Sequence, residues 1–157
     1  MAITTAFCNS FKAELLAMTP HTAASSYFVV LIKAGHAGTY GAGTTNIGTP
    51  GTGAPTTANL GTDAVAASGT YASVNGMVLA GFAASLDTST GILTFTDPAA
   101  WTGTTISADG CIIYNSTQGG RACAVYAFAG NPITSTAGNF DVNFPAVAAA
   151  TALIRIA

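Results

Sequence analysis

The stretch from Thr105 to Phe128, TISADGCIIYNSTQGGRACAVYAF, constrains this chain more than any other. Two apolar runs, Cys111–Tyr114 and Ala122–Phe128, flank Asn115-Ser116-Thr117-Gln118-Gly119-Gly120. Polar residues and paired glycines between two β-forming runs predict a hairpin, because glycine takes positive φ without steric cost. Alternation puts Cys111 and Ile113 on one face, with Ile112 and Tyr114 on the other. On the return strand Cys123 and Val125 share a face, while Ala122, Ala124, Tyr126 and Phe128 share the second. Neither face is polar. A hairpin apolar on both sides needs cover on both sides. One cover is the domain's own core, and the other is its second layer or a neighbouring molecule.

Upstream, Phe7, Phe11 and Leu15 recur at i, i+4 and i+8, joined by Leu16 and Met18, which predicts a core-packing helix capped by Thr4 or Thr5 and ended by Pro20. Ser25 to Lys33 reads as a strand apolar on both faces and so internal to a sheet. Residues 34–62 are dominated by Gly, Thr and Ala, lack any periodicity and predict a long extended loop. Fixing each residue of such a loop costs about 1–2 kcal/mol, so contacts from neighbouring chains are expected to help hold it. Further strands are expected around Tyr71, at Gly76–Ala80, at Ile92–Thr96 after the turn Ser89-Thr90-Gly91, at Asn139–Phe144 and at Thr151–Ile156. Asp97-Pro98 closes one of these, and Trp101 follows in a loop or short strand. About eight short strands and one short N-terminal helix predict a single all-β domain over 157 residues, an antiparallel sandwich or jelly-roll-like barrel.

Charge is scarce. Only 6% of residues are Asp, Glu, Lys or Arg, against about 25% in ordinary soluble domains. A free protein relies on surface charge for solubility, so this chain is expected to live packed against other protein. Four basic residues make no phosphate-binding stripe, which excludes nucleic acid as the main partner. No run approaches the roughly 18 apolar residues of a membrane span, and the opening residues show no secretory signal pattern. Cys8, Cys111 and Cys123 fit no metal spacing. Cys111 and Cys123 could approach each other across the hairpin, but buried free thiols are the expectation.

No catalytic constellation is legible. His21 and His36 are the only candidate imidazole bases, and each sits in a turn or loop where an exposed polar role is expected. The glycines of residues 35–53 lack the Gly-Lys-Thr of a nucleotide loop. The chain therefore reads as a non-enzyme with no cofactor and no metal.

The opening AITTAFCNSFKAELL, the segment WTGTTISADG, the hairpin CIIYNSTQGGRACAVYAF, and the closing GNFDVNFP and TALIRIA resemble small virion proteins of tailed bacteriophages. The resemblance covers both ends and the middle of the chain but not residues 34–62. It implies a virion component made in the host cytoplasm, most simply a capsid decoration (cement) protein that binds the major capsid protein and other copies of itself on the capsid surface. A tail, neck or baseplate component is the alternative. A host-glycan-binding module is a third reading, and would need Tyr40, Tyr71 or Trp101 as exposed platforms. Candidate interface residues are Tyr40, Asn46 and Ile47, read as anchors of the early loop, and Arg121 at the start of the return strand, which either pairs within the chain or reaches a neighbour.

Overall fold

The computed structural model describes residues Met1 to Ile156. Its elements are β1 (Ala6–Phe7), α1 (Asn9–Leu16), β2 (Tyr27–Lys33), β3 (Met77–Leu79), β4 (Ala83–Asp87), β5 (Thr90–Thr94), β6 (Trp101–Asn115), β7 (Arg121–Ala127), β8 (Ile133–Phe140) and β9 (Ile154–Ile156), with a single 3-10 turn at Gly61–Asp63. The fold is all-β with one short helix. A large antiparallel sheet runs β1-β7-β6-β2-β3, with β8 also paired to β6, and a smaller sheet runs β4-β5-β9. Neither sheet closes on itself, so the barrel alternative does not hold and a sandwich-like arrangement of two sheets remains.

The predicted hairpin is the centre of the large sheet. β6 and β7 meet through Ser116–Gly120, and Gly119 and Gly120 take φ of 66° and 81°. The return strand is less regular than alternation suggests. A bulge falls between Ile113 and Tyr114, whose partners are Ala124 and Ala122, and Cys123 is left without an opposite residue. Cys111 lies opposite Tyr126, so no cross-strand cysteine pair exists, and all three thiols are free and buried. β6 is longer than expected because it begins at Trp101. Its first half pairs with β8 and its second half with β7 on one edge and β2 on the other.

Both covers come from the chain itself. Tyr27 and Phe28 are neighbours on β2 and so point to opposite faces. On one side Phe28 stacks on Tyr114, with Ile47 and Gly48 of the long loop beside them. On the other Tyr27 stacks on Phe82 and packs against Phe95, the residues flanking the small sheet. Between the covers Val29, Val30, Leu31, Ile32, Cys111, Ile112 and Ile113 are completely buried.

Several expected boundaries shift. α1 spans only two turns, and Phe7 belongs to β1, paired with Ala124. Neither Thr4 nor Thr5 caps it: Cys8 occupies the N-cap without a side-chain bond, and the Thr5 hydroxyl instead accepts the Ala127 N–H. Met18 turns the chain in the left-handed region at φ 57°, ending the helix before Pro20. Tyr71 makes an isolated bridge with Ser68 rather than a strand, Asn139–Phe144 is strand only to Phe140, and β4 has no counterpart in the sequence reading.

Candidate functional site

The four candidate interface residues fall into two groups. Tyr40 is buried within the core and donates its hydroxyl proton to Asp63 Oδ2 at 2.7 Å. Asn46, Ile47 and Arg121 come together at the hairpin tip. Asn46 Nδ2 donates to the Gly119 carbonyl at 2.9 Å, the Ile47 N–H donates to the Gly120 carbonyl at 3.0 Å, and Asn46 bridges to Arg121. Arg121 then reaches Glu14 of α1 at 3.3 Å. Tyr40 and Ile47 anchor the loop to their own chain and, being buried, present nothing to a partner. Half-buried Asn46 and exposed Arg121 remain at the surface.

The loop is fastened to its own chain at several points. One of them is Asp63, a buried carboxylate that the sequence reading passed over. Asp63 accepts the Ala37 and Gly38 N–H groups and the Tyr40 hydroxyl, with Lys33 Nζ at 3.6 Å. Burial by itself would raise this carboxyl. The Ala37 and Gly38 amides, Tyr40 and Lys33 together outweigh burial and hold it below the ordinary carboxylate range. The same site drives the Tyr40 phenol upward, through burial first and the Asp63 charge after it.

The two histidines are buried rather than exposed, each satisfied by a carboxylate. His21 Nε2 lies 2.9 Å from Glu14 Oε2, and His36 Nδ1 lies 2.9 Å from Asp109 Oδ2. The other ring nitrogen of His21 faces the Asn115 amide, and His36 Nε2 is buried without a partner. No hydroxyl or thiol sits within hydrogen-bond reach of either ring among the described residues. Burial pushes the Cys8 thiol up to about 12 and raises Cys111 and Cys123 as well, which leaves little nucleophilic thiolate. No cluster of three or more His, Cys, Asp or Glu side chains is gathered for a metal among the described residues. Tyr40, Tyr71 and Trp101 are all buried, so none serves as a glycan platform.

What the surface does offer is apolar. Leu16 and Met18, expected in the core, are 88% and 90% exposed. Leu86 on β4 and Ile156 on β9 are exposed as well. Between α1 and the small sheet runs a groove of ≈ 260 Å³ lined by Phe11, Leu15, Phe82, Leu93 and Ile154. It continues past Leu15 and Ile156 to Leu16 and Phe7. β4, whose first four residues are all exposed, forms a free edge of the small sheet with no lysine or proline to block pairing.

The few charges do little to offset this. Glu14, Lys33, Asp63, Asp109 and Arg121 are spent on pairs within the chain. Asp87, Asp97 and Arg155 bond to the backbone of residues 144–150. No helix is long and apolar enough to cross a membrane among the described residues. No protein-family model, curated protein or solved structure matches the chain.

Proposed function

We propose that this protein is a non-enzymatic virion structural protein that decorates and stabilises a shell of major capsid protein in a tailed bacteriophage. The observation that carries the reading is the apolar groove between α1 and the small sheet, whose continuation is lined by exposed Leu16 and Ile156 with Lys12 and Arg155 as its charged groups, while Met18 after α1 and Leu86 on β4 are exposed as well. An apolar groove rimmed by exposed apolar side chains on a domain this small marks a surface used for protein contact. The resemblance of both chain ends and the hairpin to phage virion proteins supplies the partner, the capsid shell, with other copies of this chain beside it. A domain with a self-fastened loop and a hairpin buried on both faces suits a part that must hold its shape under load.

Attachment through such a face buries apolar surface and few ion pairs, so it depends little on ionic strength. Virions washed in high salt are expected to retain the protein. Its selective release by salt would overturn the reading. Counting copies per particle by gel densitometry separates a shell protein, present in very many copies, from a tail, neck or baseplate component present in few.

A further inference from the structure

We propose that His21 is a proton-responsive latch that joins the N-terminal segment to the tip of the β6–β7 hairpin and is held at rest as the neutral, Nε2–H imidazole. The argument starts at Asn115. Its Oδ1 accepts the Gln118 N–H at 3.2 Å, which fixes the amide orientation and turns the NH2 group toward His21 Nδ1 at 3.0 Å. An NH2 group only donates, so Nδ1 must be an acceptor and carries no proton. The ring proton therefore sits on Nε2, where it is donated to Glu14 Oε2 at 2.9 Å. Glu14 holds Arg121 with its other oxygen. The His21 side chain has no solvent exposure.

A second proton has only Nδ1 to occupy, and there it sets one donor against another. If Asn115 turns its amide over to accept from Nδ1, its NH2 then faces the Gln118 N–H. If it does not, the hairpin tip parts from the ring. In the first case the Gln118 N–H loses its acceptor, and in the second the tip loses its bond to the ring. The tip is held to the same segment by Gln118 Nε2, which donates to the Pro20 carbonyl. It holds the long loop in turn through Asn46 and Ile47. Protonation of one buried ring thus loosens the hairpin tip and the loop seated on it.

The groups facing the ring decide the outcome. Glu14 and the Asn115 amide meet the ring directly, Phe11 packs edge-on against it, and Arg121 pairs with the far oxygen of Glu14. Beyond these, the Cys8 and Cys123 thiols lie near Glu14 and the Tyr27 phenol near Asn115. The small sheet presents only apolar side chains and Ser85 to it. Burial raises the two thiols and the Tyr27 phenol, so all three stay neutral in acid. Glu14 draws the second proton and Asn115 opposes it; that opposition makes the cluster a two-state element.

The test follows the intact, isotope-labelled protein by NMR from about pH 7.5 to about pH 5, the interval in which histidine changes charge. At neutral pH the His21 nitrogens are expected to report a bare Nδ1 and a protonated Nε2. On acidification, the protection of the Gln118 amide, taken relative to its intrinsic exchange rate at each pH, is expected to fall about tenfold, the loss of one hydrogen bond, with the same midpoint as the ring. An Nδ1–H or doubly protonated ring at neutral pH, a ring that never titrates, or a ring that titrates while the tip amides stay protected would each overturn the proposal. Asn115→Asp places a pure acceptor against Nδ1. That variant is expected to hold both ring protons at neutral pH and to lose the acid response of the tip, and an undiminished response counts against the latch.

Discussion

The β6–β7 hairpin and the loop of residues 34–62 are both fixed in place, yet by different physics. In the hairpin Ile112, Ile113, Ala122 and Val125 are fully buried, and the regular backbone ladder satisfies the polar groups. The loop contributes only Tyr40, Ile47 and Leu60 as large buried apolar side chains and has no ladder of its own. Its backbone groups are met by scattered backbone bonds, such as Thr45 N–H to the Thr57 carbonyl and Leu60 N–H to the Ile47 carbonyl, and by a few polar side chains. Asp63 takes two N–H groups, and Asn59 Oδ1 takes two more, from Thr49 and Gly61. A core spreads its stabilisation over many small contacts, whereas a polar clamp concentrates it in single atoms. The loop should therefore fail at one residue and as Asp63 gains a proton, and the buried strands of the hairpin, away from its tip, should do neither.

Asp63→Ala tests this most severely. It strips the acceptor from Ala37, Gly38 and the Tyr40 hydroxyl inside the protein, and is expected to cost about 4 kcal/mol in urea unfolding at neutral pH. The pH dependence has a definite sign. Because the folded carboxyl sits below its unfolded value, the clamp's contribution is complete above about pH 4 and is lost as the pH falls through the folded value. Asp63→Asn should remove that part of the acid sensitivity. A cost below about 1 kcal/mol for Asp63→Ala would break the comparison.

Ile112→Ala probes the other side. A large-to-small change at a fully buried position is expected to cost about 3 kcal/mol, and the cost should be the same at neutral and mildly acid pH. A cost that grew on acidification would show that the buried strands, and not the tip alone, depend on titrating groups. The smallest effect belongs to the exposed face. Leu16→Ser with Met18→Ser should change stability by no more than about 0.5 kcal/mol. Light scattering at high concentration should nevertheless show less self-association than the unaltered chain. Unchanged association would remove that face from the contact surface.

Strands and the hairpin were legible because their signal is local: Tyr27–Ile32 and Cys111–Tyr114 read as doubly buried from their own letters. The helix was half legible. Phe11 does face the core, but the stripe says nothing of where the helix stops, and the left-handed turn at Met18 carries Leu16 and Met18 into solvent. β4 escaped because Ala83-Ala84-Ser85-Leu86-Asp87 has weak strand propensity and is held by pairing with β5. The histidines were misread as exposed because their partners, Glu14 and Asp109, lie 7 and 73 residues away. Arg121 was singled out for a charge beside a turn, and its actual role depends on Glu14 across the fold.

By itself the sequence determined the material: short apolar runs with the period of strands, glycines where the hairpin tip needs positive φ, and ten charged side chains in 157 residues. Only the tertiary structure decided how that material was used. It chose which surfaces cover the hairpin, engaged most of those charges with partners of their own chain, and let one aspartate fasten a loop with no apolar pattern. The physical reason is range. Burial periodicity is written in consecutive residues, while a hydrogen bond between positions 25 or more apart leaves no mark in either stretch until the chain has folded.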